Sequence, residues 1–253
     1  MKTMVLTSAS AMLLLAGAAS ATAINGHVVV PRLYNDFSTS TLTITDNFAS
    51  SVRVQETDYA DDGVGGNFAN RHVGWFSADG GATAYDYNYG DGFYMSLSVQ
   101  DSSVGVTAEA GFGMDLFGFG VYGLVGGGGI GAFIPTMPFH FFGSGLHAPG
   151  DVVDLAMVYR PGAGEFAAPV STMEYLYQVN GGGWVSSGQI PFGNTEGGIP
   201  SGGWSQLIGW SAQFNQPIGG SADVLFSNIY AIPTPASAAL LGVAGLAGLR
   251  RRR

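Results

Sequence analysis

The chain has 253 residues with 41 glycines and no cysteine, a length that accommodates one sizeable core and a composition that excludes a disulfide framework. All 18 acidic residues but only four arginines lie between positions 24 and 231, which gives this part a formal charge of −14. Such a surface repels nucleic-acid phosphates and anionic lipid head groups, so no nucleic acid is expected as a partner, whereas divalent cations and neutral glycans remain open.

The first 23 residues have the order of parts that is typical of a secretory signal peptide. Lys2 supplies a positive start, residues 12–17 lie within an apolar stretch, and small residues precede Ala23. The apolar run is too short for a membrane-spanning helix. We therefore predict cleavage after Ala23, with Ala21 as an alternative site two residues earlier.

Residues 24–231 are predicted to form a single domain of short strands. Polar and apolar residues alternate along most of them, as in residues 51–57, where Val52 and Val54 are expected to face inward and Arg53 outward. In chain order, strands are predicted at residues 28–30, 40–46, 51–57, 72–76, 93–99, 104–117, 119–125, 130–134, 152–160, 172–179, 184–189, 206–214 and 222–231.

Proline and glycine separate these strands. Pro31 is expected to end the first strand, because proline cannot donate a hydrogen bond to a neighbouring strand. The four glycines at 126–129 are expected to form a turn between two strands. A phosphate-binding loop would need a Gly-Lys-Ser or Gly-Lys-Thr ending, which this segment lacks.

About a dozen strands at this spacing, without a repeat of blade size, predict an all-β fold of two packed antiparallel sheets. Residues 173–175 lead into a turn signal at Asn180 and Gly181, and the last strand leads directly into the C-terminal tail. In this order the chain resembles the concanavalin-A-like lectins and glucanases. The resemblance implies a jelly-roll β-sandwich and makes a glycan the expected ligand.

One short acidic segment resembles the catalytic strand of these glucanases, which carries Glu-x-Asp-x-x-Glu. Glu56, Asp58 and Asp61 have a similar spacing, although the last position is Asp and a glycine-rich loop follows. The resemblance implies a glycan hydrolase in which one carboxylate attacks and another donates a proton. An acidic strand end that arose by chance is the favoured alternative, so we expect no enzyme.

The same region offers oxygen ligands for calcium. Asp58, Asp61 and Asp62 place three carboxylates on one loop, but without the spacing of an EF-hand. We keep a calcium site at these residues as a hypothesis, beside the favoured alternative of a solvated acidic loop.

The four tryptophans divide into two pairs. Trp75 and Trp210 lie within predicted strands and are expected in the core. Trp184 and Trp204 lie beside glycine clusters, where a loop can display an indole against the face of a sugar ring. Packing of both rings beneath loops is the alternative. Neighbouring amides at Asn180, Gln189 and Asn194 are expected to add hydrogen bonds.

The last 22 residues, 232–253, form a segment of their own. It begins with Pro233, Thr234 and Pro235, continues as an uncharged apolar run over residues 236–249, and ends in four arginines, Arg250, Arg251, Arg252 and Arg253. A run of this length is shorter than the roughly 20 residues that a membrane-spanning helix needs.

This tail resembles the PEP-CTERM sorting signal of bacterial exported proteins, with Thr234 where that signal has Glu. The resemblance implies a sorting helix that anchors transiently in the inner membrane and is processed by an exosortase. We therefore expect an exported structural or adhesive protein of the cell surface or extracellular matrix, with exopolysaccharide or another glycan as its ligand.

Overall fold

The structure, a computed structural model, describes residues 23–60, 66–87, 92–115, 119–134, 137–162, 170–191 and 206–234. Sixteen strands lie within these residues, and no helix in them is long and apolar enough to span a membrane. The strands are β1 Gly26–Asn35, β2 Thr41–Asn47, β3 Ser51–Thr57, β4 Ala69–Ser77, β5 Asp86–Tyr87, β6 Gly92–Asp101, β7 Thr107–Asp115, β8 Phe119–Val125, β9 Gly129–Phe133, β10 His140–Gly143, β11 Val152–Arg160, β12 Thr172–Val179, β13 Val185–Ser186, β14 Ile190–Pro191, β15 Gln206–Asn215 and β16 Ala222–Thr234.

The strands form two antiparallel sheets. Sheet A has the order β1-β4-β15-β7-β8-β9-β10, with β5 beside β15, and sheet B has the order β13-β12-β11-β6-β16-β3-β2, with β14 beside β12. Neighbours in each sheet are often distant in the chain, since β4 pairs with β15 and β6 pairs with β16. The predicted all-β fold of two packed antiparallel sheets is confirmed.

The core lies between the two sheets and follows from the alternation of side chains along each strand. In β6, Phe93, Met95, Leu97 and Val99 are buried between the sheets. In the same way β3 buries Val52 and Val54, as predicted, and Arg53 points outward, where it binds Asp223 of β16. Trp75 and Trp210 are both buried, which agrees with their predicted place in the core.

Trp210 also shows why one glycine is needed inside a strand. A Cβ atom on Gly74 would lie 2.2 Å from the indole Nε1 of Trp210, so the ring occupies the space that any other side chain would need. The indole N–H donates to Nδ1 of His27, at 2.7 Å. His27 Nε2 in turn donates to Asp46 of β2 at 2.7 Å, and this chain of contacts joins the two sheets.

The prediction that Pro31 ends the first strand is wrong. β1 continues through Pro31 to Asn35, with a register shift between Val30 and Tyr34. β1 is an edge strand of sheet A, and proline is tolerated at edges and irregularities because no partner there needs its missing N–H.

Other strand boundaries differ less from those predicted from the sequence. Residues 184–189 were expected as one strand, whereas the structure has only the two short strands β13 and β14 beside β12. The glycine turn between β8 and β9 is confirmed: Gly127 and Gly128 have φ angles of 74° and 68°, which favour glycine.

Candidate functional site

The outer face of sheet B contains a cavity of about 190 Å³. Its floor is formed by β6, β11 and β16, and one wall comes from the segment that precedes β13. The residues that line it are Tyr94, Ser96, Leu97, Ser98, Asp154, Trp184 and Asn228.

Strand alternation and register explain why polar side chains meet on this face. Ser98 lies between the inward-facing Leu97 and Val99, and Asp154 lies between the inward-facing Val153 and Leu155, so both point away from the core. In the pairing of β11 with its two neighbours, Asp154 stands opposite Ser98 of β6 and opposite Gln178 of β12. A row of polar residues therefore crosses three strands.

Hydrogen bonds fix the Asp154 carboxylate within this row. The Ser98 hydroxyl donates to Oδ1, and the Gln178 amide donates to Oδ2. The side-chain amide of Asn228 donates to the Ser98 oxygen at 3.1 Å. All three groups are neutral, so none of them places a positive charge against the carboxylate.

Asn228 reaches this row because of a bulge in β16. The register of β16 against β6 shifts between Ser227 and Tyr230, and Asn228 has a left-handed φ of 51°. A bulge of this kind changes the direction of a side chain, and asparagine is one of the few residues that adopt this backbone conformation readily.

Aromatic side chains accompany the polar row. Trp184 is 42% exposed and lines the cavity. Tyr94 also lines the cavity, and its ring centroid lies 6.1 Å from that of the exposed Tyr230. Burial raises the pKa of Tyr94, and the neighbouring Tyr230 raises it further, so the phenol is neutral at physiological pH.

The structure describes some of the residues that were proposed from the sequence to contact a sugar. Trp184 is exposed at the cavity, and Trp204 and Asn194 lie outside the described residues. Asn180 is bound to Asp151 and to the main-chain N–H of Val152. The polar partners that share the cavity with Trp184 are therefore Asp154, Ser98 and Asn228, which sequence reasoning missed.

Glu56 occupies a very different place from the one expected. It lies in β3 on the same face as Val52 and Val54, and none of its surface is exposed. The donors to its carboxylate surround it on all sides. They are the Ser40 hydroxyl at 2.6 Å, the Asn70 amide at 2.8 Å, His72 Nε2 at 2.9 Å, the Tyr59 hydroxyl at 3.1 Å and, as an ion pair, the Arg32 guanidinium at 3.2 Å.

The two contacts of His72 show which of its ring nitrogens carries the proton. The main-chain N–H of Arg32 donates to His72 Nδ1 at 3.1 Å, so Nδ1 carries no proton and Nε2 is the donor to Glu56. Burial by itself raises the pKa of Glu56, but the hydrogen bonds from His72, Ser40 and Asn70 outweigh it and hold that pKa below its ordinary value of 4.5. Glu56 is therefore an ionised, fully satisfied carboxylate.

This geometry corrects the catalytic interpretation of Glu56, Asp58 and Asp61. Paired catalytic carboxylates must both reach the glycosidic bond. Glu56 points into the core with no accessible surface, whereas Asp58 is exposed beyond the end of β3 at a φ of 61°. Asp61 lies outside the described residues. Glu56 and Asp58 thus do not form a pair around one sugar.

The calcium hypothesis stays a prediction. Asp58 accepts a hydrogen bond from the Thr57 hydroxyl at 3.0 Å, and Asp61 and Asp62 lie outside the described residues. Within the part of the chain that the structure describes, no group of three histidine, aspartate or glutamate side chains is placed to hold a metal ion.

Of the predicted sorting residues, the structure describes only the first two. Pro233 and Thr234 belong to β16, where they stand opposite Phe93 and Gly92 of β6. Pro235 and the terminal arginines Arg250, Arg251, Arg252 and Arg253 lie outside the described residues, and so does the predicted signal peptide up to residue 22.

No protein-family model matches the chain, and no curated protein matches it in sequence. Its structure is similar to that of the marine alginate lyase from Aplysia kurodai, with 9% identity, a TM-score of 0.46 and coverage of 78% of this chain and 92% of that one. For the lectin UEA-II complexed with galactose the identity is 9%, the TM-score 0.44 and the coverage 83% and 96%. For the alginate lyase from Klebsiella pneumoniae the values are 10%, 0.36, 78% and 85%. Scores this low assign no function, so the function has to be argued from the site.

Proposed function

We propose that this chain is an exported polysaccharide-binding protein that holds its glycan on the outer face of sheet B. The observation that carries the proposal is the exposed indole of Trp184, which shares one cavity with Asp154, Ser98 and Asn228. An indole offers a flat apolar surface to the C–H side of a sugar ring, and carboxylate and amide groups bind its hydroxyls.

The dimensions of the site suit part of a longer ligand. Pockets that enclose a whole small molecule usually have a volume of about 300–1,000 Å³, and this cavity has about 190 Å³. It therefore accommodates one sugar unit, while the rest of the polymer lies across the sheet. The exposed Tyr230, in contact with Tyr94, provides a second aromatic surface on the same face.

We propose binding without turnover. Most glycoside hydrolases use two carboxylates on either side of the scissile bond. Among the lining residues that the structure describes, Asp154 is the single carboxylate. A structural or adhesive role at the cell surface fits such a site.

The proposed delivery of the protein rests on the two ends of the sequence. The N-terminal signal would direct export, and the PEP-CTERM-like tail would be processed by an exosortase at the membrane. Mass spectrometry of the protein recovered from the cell surface should show a chain that begins near Ile24 and lacks Arg250 to Arg253. Intact ends on that protein would refute the processing proposal.

A glycan array followed by affinity measurement tests the binding site. Trp184→Ala should weaken binding of the best glycan at least about tenfold, since stacking of one sugar ring would be lost. Phe139→Ala is the matched control, because Phe139 is 39% exposed but lies outside the cavity. Equal binding by wild type and Trp184→Ala, or no binding of any glycan, would contradict the proposal.

A further inference from the structure

Among the described residues that line the cavity, the charged group is an acceptor of hydrogen bonds, the Asp154 carboxylate. Asp154 accepts two bonds from neutral groups and has further lone pairs. The Ser98 hydroxyl is already committed as a donor to Asp154. The ligand that complements this row must therefore bring donors.

Among the residues that the structure describes, no cationic side chain forms an ion pair with Asp154. The sequence has no lysine after Lys2 and four arginines between residue 24 and the tail. Each of these arginines is engaged elsewhere: Arg32 with Glu56, Arg53 with Asp223 and Arg160 with Glu174 as ion pairs, and Arg71 over the ring of Tyr34. The charge of Asp154 is therefore left for a ligand.

An exposed indole beside a carboxylate is suited to an ammonium group. The face of an indole attracts a cation, and the carboxylate supplies a charged acceptor close by. The formal charge of −14 between residues 24 and 231 also draws a polycation toward the protein over a longer range. A neutral sugar would satisfy the acceptors through its hydroxyls but would leave the negative charge unpaired.

We propose that the preferred ligand is a polymer of amino sugars in which some amino groups are free and protonated. This inference rests on the proposed glycan site and specifies its substrate class. One ammonium group pairs with Asp154, and the ring that carries it stacks on Trp184. Long-range attraction between the polymer and the acidic surface adds to both contacts.

The test compares three oligosaccharides of equal length and linkage, built from glucosamine, N-acetylglucosamine and glucose. By isothermal calorimetry the glucosamine oligomer should bind about tenfold more tightly than the other two. Raising the salt from about 50 to about 500 mM should weaken the glucosamine oligomer selectively, because screening acts on charge pairs.

Two variants separate local recognition from overall charge. Asp154→Asn should abolish the preference for glucosamine, so that the glucosamine oligomer binds no more tightly than the other two. It should also fold, since the unpartnered Oε1 of Gln178 can rotate to accept from the new amide. Asp58→Asn removes the same charge outside the cavity, at a position whose φ of 61° suits asparagine, and should keep the preference.

The outcomes distinguish this inference from the proposed function. Equal affinity for the three oligomers, lost in Trp184→Ala, would overturn the amino-sugar inference and support the glycan site. A glucosamine preference that persists in Asp154→Asn would also overturn it, because the acidic surface alone would then explain the preference. Failure of every oligomer to bind would contradict the inference together with the site.

Discussion

Glu56 and Asp154 are two carboxylates on opposite faces of sheet B, and their surroundings differ in one decisive respect. Glu56 is buried between the sheets and has four hydrogen-bond donors and an arginine around it. Asp154 faces outward and has two donors, both neutral, beside an open cavity. Donors from the protein surround the Glu56 carboxylate, whereas part of the hydrogen-bonding capacity of the Asp154 carboxylate is left without a donor from the protein.

This difference separates a structural carboxylate from one that is available to a ligand. The groups around Glu56 come from β1 and β4 of sheet A and from the loops that precede β2 and follow β3, so the carboxylate fastens the edge of sheet B to sheet A. A sequence motif cannot tell the two cases apart, since Glu56 had the spacing of a catalytic strand and Asp154 had no motif at all.

The strongest test of the comparison is to neutralise Glu56. Glu56→Gln should lower the free energy of unfolding by about 3–5 kcal/mol, because a buried ion pair with Arg32 would be lost and the new amide NH₂ would face donors such as Asn70 and His72. Urea unfolding followed by circular dichroism measures the change. Asp154→Asn, the matched substitution on the outer face, should cost no more than about 0.5 kcal/mol. Similar losses in both variants would contradict the assignment of different roles.

Acid should affect the two carboxylates differently. Because the pKa of Glu56 is lowered in the folded state, its contribution to stability is present above its unfolded pKa, near 4.5, and is lost as the pH falls through the folded pKa. The stability difference between wild type and Glu56→Gln should therefore shrink below about pH 4.5. Unfolding at a series of pH values measures it, and a difference that stays constant down to pH 3 would refute this linkage.

The smallest effect is expected at Trp184. Trp184→Ala should change the free energy of unfolding by no more than about 0.5 kcal/mol, since the ring is 42% exposed. Trp210→Ala provides the contrast, because it removes a fully buried ring and should cost about 3–5 kcal/mol. Thermal unfolding of the two variants compares them. A loss of several kcal/mol at Trp184 would show that its ring belongs to the core.

Strand alternation predicted most of the fold and even contained a signal for Glu56. The period of two that places Val52 and Val54 inward also places Glu56 inward, which the catalytic alternative suggested by the motif spacing did not take into account. The alternation does not predict the hydrogen-bond partners of Glu56. Asn70 and His72 come from the other sheet, 14 and 16 residues away in the chain.

The site was predictable only at Trp184. Alternation in β11 places Asp154 outward, but its partners depend on register. Ser98 and Gln178 meet it because β6 and β12 flank β11, an order that local sequence does not determine. Asn228 depends on a bulge, and the alternating pattern of its strand gave no indication of one.

The structure of the protein in complex with a glucosamine oligomer tests the central claim most directly. The account predicts a sugar ring against the indole of Trp184, with an amino nitrogen within hydrogen-bond distance of the Asp154 carboxylate. A ligand bound away from the outer face of sheet B, or a cavity that stays empty under saturating oligomer, would contradict it.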